Sequence, residues 1–222
     1  MQTLRILAID DHEMTMLGYK FILEGMVFEG YNIIVDTANT YDQGKKMIED
    51  SVNSFKYDIL FLDVQLFPPN EHQPVTGENL GVMARKLVPE TKIVFMSSFS
   101  DSYRINSILK SVDPDGYLVK TDIDPKTLED AVKVVTLNPP YYSSKALSAI
   151  RKKMANDISL DEKDKKILYH LSIGTKNKDL ENYIQLSPSS IENRKRHLKS
   201  LFGTENENDL ALILAAKNRG FI

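Results

Sequence analysis

Residues 57–63 read Tyr57-Asp58-Ile59-Leu60-Phe61-Leu62-Asp63. A short unbroken apolar run of this kind describes a strand buried on both faces, as in a parallel sheet, and the closing carboxylate marks where the chain leaves that sheet. Working outward, Leu4–Ile9, Ile33–Val35, Ile93–Met96 and Tyr117–Val119 are further buried runs. Amphipathic stretches lie between them near Thr15–Glu24, Tyr41–Ser51, Gly77–Lys86, Ser102–Ser111 and Pro125–Leu137. Strictly alternating strands and helices predict an α/β domain of the (βα)5 type, a parallel sheet covered by helices. Asp124-Pro125 supplies the last helix with an N-cap and a first-turn proline.

Asn138-Pro139-Pro140 stops this pattern, because proline cannot continue a helix and restricts the residue before it. We therefore expect a domain over 1–137, a linker over 138–157 with one short helix, Ser144–Met154, and a small all-α domain over 158–222. Its predicted helices are Asp161–Leu171, Lys176–Tyr183, Pro188–Phe202 and Asn208–Arg219. The third has the clearest signals: Ser187 as N-cap, Pro188 at the first helical position and Gly203 just past the end.

Composition bounds the function. The 222 residues are 42% hydrophobic and 27% charged, ordinary for a globular protein, and none is cysteine. That excludes disulfides, thiolate metal sites and cysteine nucleophiles together, and it fits a reducing compartment. The opening Met1–Asp11 is too short and too soon acidic for a signal peptide, and no apolar stretch is long enough to span a bilayer, so a cytoplasmic protein without a membrane partner is expected. The formal charge of −3 hides an asymmetry: residues 1–150 carry −7 and residues 151–222 carry +4. An acidic module is joined to one able to approach a polyanion.

In open parallel sheets, ligands bind beyond the carboxyl ends of the strands. Asp10 and Asp11 follow the first strand, Asp63 ends the third, Ser97 follows the fourth and Lys120 the fifth. Converging carboxylates repel one another, and a hard divalent cation with oxygen ligands, Mg²⁺, is the natural remedy. A carboxylate can also accept a phosphoryl group, a reaction that requires mainly positioning and charge neutralisation. Mg²⁺ held by Asp11 and Asp63 with Asp10 in support, the Lys120 ammonium and the Ser97 hydroxyl are the parts such a site needs.

The run Asp10-Asp11-His12 with Gly18, the segment 57–63, Ser97, and Asp115-Gly116-Tyr117-Leu118-Val119-Lys120 resemble the receiver domain of two-component response regulators, a flavodoxin-like fold. The resemblance implies that Asp63 takes phosphate from a histidine kinase or a small phosphodonor, with Asp10 and Asp11 on the metal. It makes Gln65 a backbone-carbonyl ligand, Ser97 the switch hydroxyl, Tyr117 the switch aromatic and Lys120 the phosphate-contacting lysine; His12 would be structural. Two features depart from the family: the extra residues Phe67–Thr76 before Gly77, beside the phosphoacceptor, and a turn, Ser111-Val112-Asp113-Pro114, one residue longer than usual.

On a helical wheel of residues 188–202, Ile191, Leu198, Leu201 and Phe202 form one side and Glu192, Asn193, Arg196, Lys199 and Ser200 the other. A preceding helix, a turn and a helix opened by Ser187-Pro188 form a helix-turn-helix, whose second helix reads the major groove. With Leu160-Asp161, the segments 174–180 and 186–191, and Leu198…Leu201-Phe202-Gly203, this region resembles the LuxR-type domain of the NarL/FixJ family. That implies double-stranded DNA as a partner, with Glu192, Asn193 and Arg196 facing bases and Ser190, Lys195 and Lys199 facing phosphates. Glu192 and Arg196 are spaced for an i, i+4 ion pair. Leu210, Leu212, Ile213 and Leu214 would lie on the helix through which such domains form homodimers.

We read the chain as a DNA-binding regulator and not an enzyme. A phosphate-ester hydrolase with an aspartate nucleophile would carry a second aspartate two positions on, where His12 follows Asp10. The alternative is a receiver indifferent to phosphate that serves as an interaction or constitutive DNA-binding module; the complete set Asp10, Asp11, Asp63, Ser97 and Lys120 argues against it.

Overall fold

The computed structural model describes residues 1–66, 76–98, 102–154, 158 and 160–222. The chain divides into two compact units, one mostly of residues up to Leu147 and the other mostly of residues from Ser148 onward. No helix among the described residues is long and apolar enough to cross a membrane.

The first unit is built on the predicted strands: β1 (Gln2–Ile9), β2 (Tyr31–Ala38), β3 (Ile59–Asp63), β4 (Lys92–Ser97) and β5 (Gly116–Val119). They alternate with α1 (Glu13–Gly25), α2 (Tyr41–Ser51), α3 (Gly77–Leu87), α4 (Ser102–Val112) and α5 (Pro125–Leu137). All pairings are parallel, in the order β2-β1-β3-β4-β5. The chain reverses direction across the sheet between β1 and β3, and a crevice opens at their carboxyl ends.

Every residue of β3 is buried, as its apolar run requires. Alternate residues serve opposite faces. Ile6, Ala8, Ile59, Phe61, Val94, Met96 and Leu118 pack with Met16 and Leu23 of α1 and Leu128, Ala131, Val132 and Val135 of α5. On the other face, Cβ atoms added at Gly44 of α2 and Gly81 of α3 would strike Ile9 and Phe95. Asp124 caps α5 as expected, accepting from Thr127 N at 2.7 Å, and two further caps appear, Thr40 accepting from Gln43 N at 3.2 Å and Asn79 Oδ1 from Thr76 N at 2.9 Å.

The sheet also gains a strand where a linker was expected. Tyr141–Tyr142 forms β6, parallel to β5, with Tyr141 N donating to Asp115 O and Ser143 N to Tyr117 O, both at 3.0 Å. The buried Ser143 hydroxyl accepts from Val119 N at 3.1 Å, and α6 (Ser144–Met154) follows. The extended backbone after the prolines thus satisfies the open edge of β5.

The second unit contains α7 (Glu162–Ser172), α8 (Glu181–Ile184), α9 (Pro188–Phe202) and α10 (Asp209–Asn218). The helix expected over Lys176–Tyr183 is instead a 3₁₀ turn, Asn177–Asp179, and the single turn of α8. Gln185, at φ 53°, adopts the left-handed conformation that ends α8 and starts the turn into α9. The core draws on Ile167, Leu168, Leu171, Ile184, Ile191, Leu198, Phe202, Leu212 and Ala216. Phe221 and Ile222 complete it, the Phe221 ring meeting Phe202 edge-on at 5.2 Å.

Candidate functional site

The acidic residues meet at the crevice between β1 and β3. Ligand atoms of Asp10, Asp11, His12 and Asp63 all lie within 4.8 Å of one another. Asp10 is fully buried and Asp63 is 2% exposed, whereas Asp11 and His12 face solvent. Lys120, at the end of β5, places its Nζ 2.7 Å from both Asp10 Oδ2 and Asp63 Oδ2. Gln65 N donates to Asp63 Oδ1 at 3.1 Å, and His12 N to Asp10 Oδ1 at 3.0 Å. Ser97 is fully buried at the end of β4, in register with Val119 of β5, and the Tyr117 side chain is buried as well.

Burial pushes the Asp63 carboxyl above the usual carboxylate range, with the neighbouring Asp10 charge adding to the effect and Lys120 and the Gln65 N–H opposing it. Burial also works against the Lys120 charge, but the two carboxylates outweigh it and hold the ammonium above its ordinary value. Two acids and one cation share a poorly hydrated space, so the cluster carries net negative charge.

Its donor set fits a hard cation. Asp10 Oδ2 is buried and, apart from its close ion pair with Lys120, accepts no hydrogen bond of good geometry among the described residues. A buried carboxylate oxygen with one partner keeps a lone pair for a second, such as a cation. Carboxylate and carbonyl oxygens in a partly open crevice are what Mg²⁺ takes.

Two neighbours of the cluster were not legible in the sequence. Tyr19 on α1 is half-buried, and burial with the Asp10 and Asp63 charges pushes its phenol up to about 12, so it stays a hydrogen-bond donor. Gly77, the first residue of α3, lies against Asp63 itself: a Cβ there would sit 1.8 Å from the Asp63 carbonyl oxygen. The extra residues 67–75 before it lie outside the described residues.

In the second unit, Glu192, Asn193, Arg196 and Ser200 of α9 face solvent as expected, with His197 beside them. Ser190 is partly buried, and its hydroxyl lies 2.9 Å from that of the N-cap Ser187. The lysines differ from expectation. Lys195 is 4% exposed, with its Nζ 2.7 Å from Asp209 Oδ2 and 3.1 Å from Glu192 Oε1. It stands on the inward stripe, one turn after Ile191 and one before Leu198, and is not presented to a phosphate. The anticipated Glu192–Arg196 pair is likewise replaced by Glu192–Lys195 at i, i+3.

Lys199 is also engaged, 3.0 Å from Asp209 Oδ1 and donating to Glu207 O at 2.8 Å. Arg194 reaches Asp161 and Asp164 at 2.7 Å each, tying α9 to the capped start of α7. On α10, Leu212 is core, while Leu210 and Leu214 are 60% and 53% exposed, an apolar stripe one turn apart.

No family model matches the chain. It is 23% identical over 220 residues to the oxygen regulatory protein NreC of Staphylococcus epidermidis, an alignment covering 93% of this chain and 94% of that one. The NreC protein of Staphylococcus aureus is 21% identical over 219 residues, with the same coverage. Among solved structures, two RcsB dimers bound to two parallel DNAs superpose with a TM-score of 0.64 at 18% identity, covering 96% of this chain and 98% of that one. RcsB of Salmonella enterica serovar Typhimurium, bound to promoter rprA with the phosphomimetic BeF3⁻, gives a TM-score of 0.61 at 17% identity, covering 96% and 97%. The chain therefore has the two-domain fold of these response regulators and resembles them over nearly its whole length.

Proposed function

We propose that this chain is a two-component response regulator in which phosphorylation of Asp63 controls dimerisation and sequence-specific DNA binding by the second unit. The observation that carries the reading is Lys120 Nζ at 2.7 Å from both buried carboxylates, Asp10 and Asp63, at the crevice of the sheet. Asp63 combines burial, a position at the end of a central strand and contact with the Lys120 ammonium.

In the transfer, an Asp63 Oδ attacks the phosphorus of a phosphohistidine or an acyl phosphate. A new P–O bond forms, the donor's P–N or P–O bond breaks, and the leaving group departs with the electron pair. Mg²⁺ held by Asp10, Asp11, Asp63 and the Gln65 carbonyl would neutralise charge on the phosphoryl oxygens. Lys120 gives up its bond to Asp63 Oδ2 and takes a phosphoryl oxygen, and Ser97 donates its hydroxyl to another. Drawing Ser97 toward the phosphate opens room beside Tyr117 and biases a two-state receiver, as in other phosphorylation switches.

The second unit supplies the output. Asn193 and Arg196, exposed on a helix that follows a tight turn, suit adenine and guanine edges, with Glu192 beside them. Leu210 and Leu214 provide an apolar stripe for pairing with a second copy, and two half-sites on duplex DNA would follow. Incubation with acetyl phosphate and Mg²⁺, followed by intact-mass measurement, tests the first step. One stable added phosphoryl group, absent in Asp63→Asn, is expected. Rapid turnover without a labelled species would favour a phosphatase, and no labelling would favour a phosphate-indifferent module.

A further inference from the structure

The α9 helix carries Arg194, Lys195, Arg196, His197 and Lys199 within six positions, a density that suggests a phosphate-binding surface. The structure uses most of that charge internally. Arg194 is taken by Asp161 and Asp164, both at 2.7 Å, and Lys195 and Lys199 converge on the two oxygens of Asp209 at 2.7 and 3.0 Å. Among the described residues, Arg196 makes no ion pair and stays exposed.

The two lysines are not equivalent to surface charges. Lys195 is buried between Ile191, Leu198 and the start of α10, and an ammonium there stands only because carboxylates accompany it. Asp209 is the first residue of α10, where the helix dipole also favours a negative charge, and the Asn208 side chain caps the same turn by accepting from Ala211 N at 3.0 Å. Burial would raise the Asp209 carboxyl, yet the two lysines and Asn177 hold it below the usual range. One carboxylate thus grips α9 at two points a helical turn apart, while Asp161 and Asp164 hold its Arg194 from the α7 side.

Resting on the DNA-binding reading above, we infer that Asp209 and Lys195, with Lys199, are positioning residues that fix the angle and rotation of the reading helix, and that they do not contact DNA phosphates. Rotation matters because base readout requires side chains to be held closely in place, whereas phosphate attraction is tolerant of position. A helix held by Asp209 on one side and Asp161 with Asp164 on the other keeps Asn193 and Arg196 aimed together.

Two roles for these charges predict opposite results. If Asp209 merely competes with DNA for the lysines, Asp209→Asn frees two cations; affinity then rises on every duplex and the salt dependence steepens. If Asp209 positions the helix, the same change weakens binding to the preferred sequence and blurs the preference. The probe is a duplex selected by the full-length wild-type protein from random-sequence DNA, compared with an unselected duplex across a salt series. For Asp209→Asn and Lys195→Met we expect a loss of roughly tenfold on the selected duplex, the scale of one lost base contact. The salt slope should remain within error of wild type, and repeat selection should return a broader sequence set. Lys195→Arg should restore part of the loss.

A slope reduced by about 0.9 in Lys195→Met or Lys199→Gln, the signature of one lost phosphate contact, would overturn the inference. So would tighter binding by Asp209→Asn, or binding unchanged in both affinity and sequence preference. Should Lys195→Met fail to fold, Asp209→Asn keeps the side chain's shape and carries the test alone. If the wild type itself binds neither duplex, the DNA-binding reading falls and the positioning role falls with it, a result separate from any seen only in the variants.

Discussion

Gly77→Ala is a small change that should damage the Asp63 site. The added Cβ would lie 1.8 Å from the Asp63 carbonyl oxygen and 2.9 Å from its carbonyl carbon. Even to reach 3.0 Å, the limit below which Cβ contacts are essentially never seen, main chain must move by about 1.2 Å. Both partners are backbone, one in the first turn of α3 and one at the end of a fully buried strand, so no side chain can swing aside. Overpacking costs about 1 to 3 kcal/mol, and this geometry places the cost near about 3 kcal/mol. For a unit of about 140 residues the unfolding entropy is roughly 0.3 kcal/mol/K, giving a fall in Tm of about 10 °C. Displacement of Asp63 by about 1 Å should also slow labelling by acetyl phosphate, by up to roughly a hundredfold. Urea denaturation and time-resolved intact mass measure the two effects on one sample. A variant within about 0.5 kcal/mol of wild type that labels at the wild-type rate would show that α3 does not press on Asp63 as described.

Arg85→Met should destabilise the first unit by about 2 to 3 kcal/mol in chemical denaturation, because the guanidinium binds Val112 O, Thr91 O, Asp113 O and the Asp115 carboxylate across the α4–β5 turn; a change under about 0.5 kcal/mol would mean the turn holds without it. Asp161 and Asp209 both have folded-state carboxyls held below the usual range, Asp161 chiefly by the Asp164 N–H and Asp209 by its lysines against burial. Groups shifted this way contribute stability above the unfolded carboxylate value, about 3.9, and lose it as pH falls toward their folded values. Asp209→Asn should therefore show a shallower loss of stability on acidification than wild type in a circular-dichroism titration, and parallel curves would contradict the assignment.

The elements legible in the sequence are those whose pattern has one physical solution. The run Ile59–Leu62, bracketed by carboxylates and alternating with amphipathic stretches, reads as a doubly buried strand, and α5 and α9 begin and end where the pattern puts them because caps, prolines and Gly203 mark their termini. Asp10, Asp63 and Lys120 could be brought together on paper because strand ends of a parallel sheet share one edge. The sixth strand was hidden: two tyrosines after two prolines read as linker, and only the open edge of β5 gives them a partner. The burial of Lys195 is hard to read from sequence for a different reason. Its position, four after Ile191 and three before Leu198, adjoins the apolar stripe, whereas the family resemblance implies a lysine facing DNA phosphates. Its partner Asp209 lies fourteen residues away on another helix, and Arg194 finds Asp161 and Asp164 some thirty residues back, so neither pairing follows from local spacing. Gly77 shows the same limit, since what it touches is a backbone atom of Asp63, fourteen residues earlier in the chain.

The central claim is that phosphate on Asp63 governs what α9 does on DNA. Sedimentation velocity on full-length protein with a duplex selected from random sequence, run with and without acetyl phosphate and Mg²⁺ and repeated with Asp63→Asn, tests it directly. Phosphorylation should shift the wild type toward dimer and tighten its DNA complex, while Asp63→Asn should be indifferent to the phosphodonor. Equal dimer fractions and equal DNA affinity with and without phosphate in the wild type, at full labelling of Asp63, would contradict it.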